Sequence, residues 1–275
     1  MRRDITTLPT ISILITILLA CESNTNDLGK SALVLQGYLY ENEVVSGIKL
    51  TKSIPFGSGN SLIKITDASV YIYFGDREYL LQVDTDSTYY NTDSTLQIIA
   101  EQDYSIKIEY EDVIISAKTH VPLKPEGLKI SDTVLYVEED FTPTPGMMGG
   151  QDTADLTISW ENPDNDYFYV LVNNLEENPE SIELGFSPPE GMSNFSFLSQ
   201  PFVSDSYSIS VFRSIQQYGR HRVKIFRVND EYAYLYENRE QDSRYLTEPY
   251  SNVLNGLGIF TAFSYSEVYF EVVKE

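Results

Sequence analysis

The sequence is short of cysteine, tryptophan, histidine and positive charge. Its 275 residues include one Cys, one Trp and two His. A lone cysteine excludes a disulfide framework. The two histidines, His120 and His221, are far apart in the chain and form no His-Glu-x-x-His zinc helix, and the chain has no Gly-x-Ser-x-Gly elbow. No phosphate-cradling glycine loop is present either. Gly57-Ser58-Gly59 lacks the Lys and the following helix of such a loop and reads as a turn. Lys and Arg number 19 against 41 Asp and Glu, a formal net charge of -22. Such a surface repels nucleic acid phosphates and anionic lipid head groups. Nucleic acid partners and purely electrostatic membrane docking are therefore not expected. Beyond the first 20 residues, no apolar run approaches the roughly 20 residues needed to cross a bilayer.

What is present begins at the N-terminus. Arg2 and Arg3 precede an apolar run from Ile11 to Ala20 that ends in Leu18-Leu19-Ala20-Cys21. The run is too short for a membrane span and reads as a cleavable secretory signal over residues 1–20. Its last four residues resemble a bacterial lipobox. That resemblance implies cleavage before Cys21 and lipid attachment to it, which accounts for the only cysteine. An ordinary signal that happens to contain a Cys is the plain alternative. Residues 21–32 then read as the lipidated Cys and a flexible, small and polar tether.

From Leu33 the pattern alternates with period 2, the mark of half-buried strands. Tyr104, Ile106, Ile108 and Tyr110 share one face. Val70, Ile72 and Phe74 share another, and Gly75-Asp76 turns the chain into a return strand, Glu78 to Val83. Residues 33–121 are expected to form a small β-sandwich. The prolines of 122–127 make a linker. Residues 128–275 form a second all-β unit, with a Pro- and Gly-rich loop over residues 141–155. Leu156, Ile158 and Trp160 alternate before Asn162-Pro163 and the aromatic strand Tyr167 to Val170. This resembles a fibronectin type III domain. His221, Val223 and Ile225 alternate inward, with His221 where the tyrosine corner of such a sandwich would stand. One surface helix is expected near 230–243, with Asn229 as its cap, Asp230 and Glu231 in its first turn, and Tyr232, Leu235 and Tyr236 on one face. The fold class is thus all-β: two β-sandwich, immunoglobulin/fibronectin III-like domains in tandem, with one short helix in the second.

Three features together resemble one bacterial lipoprotein family, called domain of unknown function 4249. They are the lipobox, the opening strands Ala32 to Leu39 and Ala68 to Tyr73, and the closing segment Asn252 to Phe260, which holds an Asn-Gly-x-Gly-x-Phe motif. The resemblance implies an outer-membrane lipoprotein, anchored by lipid, that acts as an accessory of a TonB-dependent transporter. It supplies no catalytic residues, because the family has none assigned.

The residues themselves offer little chemistry. His120 ends a strand beside the linker and His221 is in phase with core residues, so both read as structural. Asp84 with Asp86, and Asp164 with Asp166, are calcium candidates, because alternate turn residues can aim two carboxylates at one hard cation. Asp is equally an ordinary turn residue, and neither pair has the Gly and distal Glu of an EF-hand. No cofactor other than calcium is indicated. The 21 tyrosines serve either cross-strand packing or an exposed interface that stacks on sugars. Tyr71 and Tyr73 lie opposite Val70 and Ile72, and Tyr89 and Tyr90 are expected in a loop. Ser87, Ser94, Thr133 and Thr153 each follow an Asp in a three-residue pattern resembling an O-glycosylation signal. The leading expectation is a non-catalytic binding or accessory subunit. An adhesive or structural surface protein is the alternative, and a carboxylate-dependent glycoside hydrolase comes last, since no spacing selects an acid pair.

Overall fold

A computed structural model describes residues 32–53, 62–137, 156–182, 195–211, 213–237 and 250–275. Cys21, the signal segment, residues 141–155 with Thr153, Gly57-Ser58-Gly59 and the expected helical residues 238–243 lie outside the described residues.

The first strands in chain order are β1 (Leu33–Tyr40), β2 (Lys49–Lys52), β3 (Ile63–Lys64), β4 (Ser69–Phe74) and β5 (Arg77–Leu80). There follow β6 (Gln82–Val83), β7 (Tyr89–Tyr90), β8 (Asp103–Tyr110) and β9 (Val113–His120). After residues 122–127 come β10 (Lys129–Ile130), β11 (Val134–Val137), β12 (Leu156–Ser159), β13 (Tyr167–Asn174) and β14 (Ser196–Leu198). The chain closes with β15 (Phe202–Val203), β16 (Ser206–Ile209), β17 (Gly219–Val228), the helix α1 (Asp230–Glu237) and β18 (Leu257–Lys274).

The chain is an all-β protein of two sandwich-like halves. In the first, the sheet β5-β4-β8-β9 faces β1, β2 and the start of β18. The period-2 pattern does what it predicts: Val70, Ile72, Ile106, Ile108, Ile115 and Ala117 point inward and meet Leu33, Leu35, Leu39, Leu50 and Phe260. In the second, β10-β12-β16 faces β13, β17, β11 and the end of β18. Leu156, Ile158 and Trp160 pack there on Phe168, Val170, Val223, Ile225 and Phe270. The division of strands between the two sheets is immunoglobulin-like. Each fully buried aliphatic or aromatic side chain contributes roughly 1.5–3 kcal/mol relative to exposure.

β18 joins the halves. Its first part, Leu257–Phe263, pairs in parallel with β1; its last part, Glu271–Lys274, pairs in parallel with β11. β17 runs along its other edge from Phe263 to Val272. Val253, Phe260 and Ala262, which the sequence places in the second unit, therefore pack in the first core. Between the two parallel pairings, residues 122–127 lie beside β18: the Ser264 hydroxyl donates to the Pro122 carbonyl and the Ser266 hydroxyl to that of Pro125. A third cluster covers the opposite face of this sheet. Tyr169, Phe226 and Phe263 meet Tyr232 of α1, so the helix lies on the outside of the sandwich as expected.

Candidate functional site

A cavity of about 990 Å³ opens where the two halves meet. Its walls are the open end of the β8–β9 hairpin, the β4–β5 turn, Pro122 and Leu123, Asp166, and the passage from β17 into α1. Domain junctions are common places for binding pockets.

Hairpin register sets the first wall. The β8–β9 ladder pairs Asp103 with His120. The His120 Nδ1 lies 2.8 Å from Asp103 Oδ1, and its Nε2 lies 3.5 Å from Glu101 Oε1. Glu101 is aimed there by a left-handed backbone, φ 61°, a conformation that costs a non-glycine residue about 1 kcal/mol. Its N–H donates to the Val121 carbonyl, which carries the cross-strand bonding past the Asp103–His120 pair. The Asp103 carboxylate first, and Glu101 second, push the His120 pKa above its ordinary value. About half of the ring is exposed, so water screens much of this attraction.

The opposite wall is built from polar contacts across the two halves. Asn229 Nδ2 donates to the His120 carbonyl at 2.7 Å and to Thr119 Oγ1 at 3.2 Å. Glu231 Oε1 accepts from Thr119 Oγ1 at 3.0 Å, Thr261 Oγ1 at 3.2 Å and Asn229 Nδ2 at 3.2 Å. Thr119 and Thr261 are buried, so these bonds leave few polar groups unpaired inside the joint. Asn162 organises the loop before β13: its side chain accepts from Asp166 N–H and donates to the Asp166 and Ser204 carbonyls. The Asp166 carboxylate then stands 3.4 Å from Arg227 Nε. That separation makes an ion pair, but the N–H is misaligned for a hydrogen bond. The Arg227 guanidinium also sits 5.5 Å above the Phe168 ring.

The cleft thus presents fixed charges of both signs, with Phe74 stacked on Tyr104 at its rim. Among the described residues, no hydroxyl is hydrogen-bonded to the His120 ring. His221, the other histidine, is buried and stacked on Phe270. Its Nδ1 donates to the Gly219 carbonyl and its Nε2 accepts from Asn174 at 3.4 Å.

The sequence-derived candidates scatter. Asp84 closes its own turn: its carboxylate accepts from the Asp86 N–H, the Thr88 N–H and the Thr88 hydroxyl, which hold its pKa below the ordinary value. Asp164 is exposed, while Asp166 lines the cleft. No group of three or more His, Cys, Asp or Glu that could hold a metal occurs among the described residues. Ser87 is half-buried at φ 64°; Ser94 and Thr133 are exposed. Tyr89 is a correction: it is a strand residue and fully buried, with its hydroxyl donating to the Ile65 carbonyl and accepting from the Ala68 N–H. Glu101, Asp103, Arg227 and Glu231 were not among the sequence candidates.

Fold and site together define an all-β, two-sandwich protein with a polar cleft at the junction. The chain belongs to the family described as Domain of unknown function (DUF4249), whose model matches residues 21–268. No curated protein matches it. Among solved structures it is similar to the crystal structure of domains A168–A170 from titin, at 12% identity and a TM-score of 0.21. That match covers 89% of this chain and 66% of the titin chain, a little under two thirds of its length.

Proposed function

We propose that this is an outer-membrane lipoprotein, anchored through Cys21, that serves as a non-catalytic binding or accessory subunit of a TonB-dependent transporter and uses the junction cleft for contact. The observation that carries the reading is the cleft itself. It lies between two halves held by β18, by the Ser264 and Ser266 bonds to residues 122–127, and by Asn229 and Glu231. Its walls are therefore pre-formed, which lowers the cost of binding. The family match also opens at residue 21, the lone cysteine. Among the described residues no helix is long and apolar enough to cross a membrane.

The test is a mild-detergent pull-down from native outer membranes with a C-terminal tag, alongside a variant that reverses charge at the exposed cleft rim, Asp103→Lys. A barrel protein retained in stoichiometric amount by the parent chain and lost from the variant is the expected result. A lone lipoprotein in both eluates would sink the transporter reading. The second reading, an adhesive or structural surface protein, is favoured by the same ties between the halves, which make a stiff spacer. Glycan binding in the absence of any barrel partner would select it.

A further inference from the structure

Apolar side chains collect at one end of the first sandwich. Leu62, Ile63, Val113, Ile114 and Leu254 are between 40% and 67% exposed there. The topology brings them together from three parts of the chain. Lys52 pairs with both Leu33 of β1 and Ile63 of β3. Its amine lies 3.4 Å from Glu111 and 4.8 Å from the centre of the Tyr110 ring, at the β8–β9 turn that precedes Val113. Leu254 is bridged to Ser116 of β9, and the neighbouring Asn255 side chain donates to the Ile114 carbonyl.

The chain also enters the fold at this end. Ala32 exchanges hydrogen bonds with Ser53, next to Lys52. Cys21 lies eleven residues upstream of Ala32, and a fully extended segment of that length reaches at most ~40 Å. A lipid on Cys21 therefore places this end of the fold nearest to its point of attachment on the bilayer. The cleft sits at the opposite end of the same hairpin: Asp103 and His120 open it, while Tyr110 and Val113 close it. Strands of this length separate the two ends by roughly 23 Å.

We propose that Leu62, Ile63, Val113, Ile114 and Leu254 form a tip that seats in the lipid of the membrane holding Cys21 and turns the cleft away from the bilayer. This rests on the lipid-anchor reading above. The contact is apolar, because a chain of net charge -22 gains nothing from anionic head groups. A tip and a lipid together give two membrane signals, which is what stable and oriented anchoring takes.

The experiment uses the full lipoprotein in vesicles of phosphatidylethanolamine and phosphatidylglycerol. Ile114→Cys carries an environment-sensitive fluorophore. Tyr136→Cys, 63% exposed on β11 in the second half, carries the same label as control. Quenching at position 114 by lipids brominated along the acyl chain, at least several-fold stronger than at position 136, is expected. Equal, weak quenching at both sites, with intact mass showing the lipid, overturns the tip while leaving the anchor reading standing. An intact mass without lipid overturns both. Shielding of position 114 in native membranes but not in pure lipid vesicles also overturns it, in favour of a protein partner. Far-UV circular dichroism matching the parent chain certifies that each variant is folded.

Discussion

Gly258 has no room for a side chain. Its φ is 107°, and a Cβ built there would sit 1.9 Å from the Leu35 carbonyl oxygen. The closeness comes from the parallel pairing of β18 on β1, where Leu35 is the partner of Gly258. Gly258→Ala should cost upward of about 3 kcal/mol, because strain and collision add. Gly47→Ala is the matched control: its φ of 70° is also positive, but nothing lies within 4 Å, so only about 1 kcal/mol is at stake. Urea midpoints of the two variants check this; equal losses would mean that β18 and β1 are not so close. The closing motif of the sequence thus has a backbone reason, yet no sequence pattern names Leu35 as the partner. The two histidines make a second test. Burial, the largest cause, holds the His221 pKa below its ordinary value, while Asp103 and Glu101 raise that of His120. His120 therefore adds stability that is complete below about pH 6.5, the unfolded value. That contribution fades as the pH climbs through its higher folded value. His221 has the opposite sign: below about pH 6.5 the unfolded chain takes a proton that the fold refuses, and stability falls. Proton NMR should show one imidazole titrating above 6.5 and one below, with His120→Gln removing the upper one. Coincident titration would dismiss the carboxylate bracket. The core role of His221 was legible from its alternation with Val223 and Ile225. Asp103 was recoverable from register, since the two-residue turn Glu111-Asp112 sets it across from His120. Glu101 was not, because its aim depends on a left-handed φ that the sequence does not advertise.

At the scale of the element, α1 shows how a tertiary tie displaces a local one. Asn229 begins the helix through its carbonyl, which accepts from the Tyr232 and Ala233 N–H groups. Its side chain turns away from the helix end that it was expected to cap and grips Thr119 and His120 instead. Glu231, expected as a first-turn anion, spends one oxygen on Thr119, Thr261 and Asn229. Glu231→Ala should cost about 2–3 kcal/mol, since it strips a charged acceptor from donors that include two buried threonines. Glu231→Gln keeps an acceptor oxygen and should cost less. Chemical denaturation of the pair checks this, and equal losses would show that helix propensity rather than the contact is being measured. The helix and the long strands were readable because their periods run over enough residues. The strands β6 and β7 have two residues each, too few to display any period, which is why Tyr89 and Tyr90 read as loop.

For the whole molecule, the decisive element is the 18-residue β18. Nothing local marks Leu257–Lys274 as a strand shared by two cores. Ile259 to Ser264 are all buried, so no simple alternation marks the strand, and pairing with β1 and β11 spans well over a hundred residues of chain. The prolines of 122–127 lead the sequence to expect a linker there, but nothing in proline or composition foretells the return of the last strand into the first core. The consequence is thermodynamic. Because both cores bury side chains of one strand, Phe260 and Ala262 in the first, Phe270 and Val272 in the second, neither can melt without fraying the other's edge. The protein should unfold as one cooperative unit despite having two hydrophobic clusters. Trp160, the only tryptophan, is buried in the second cluster and reports on that half alone. Ile108 is fully buried in the first cluster, and Ile108→Ala should cost about 3 kcal/mol there. The Trp160 fluorescence midpoint should fall together with that of far-UV circular dichroism, by the same amount. A Trp160 transition that stays in place while the dichroism splits in two would mean that the halves are energetically separate and that β18 is only a tether between them.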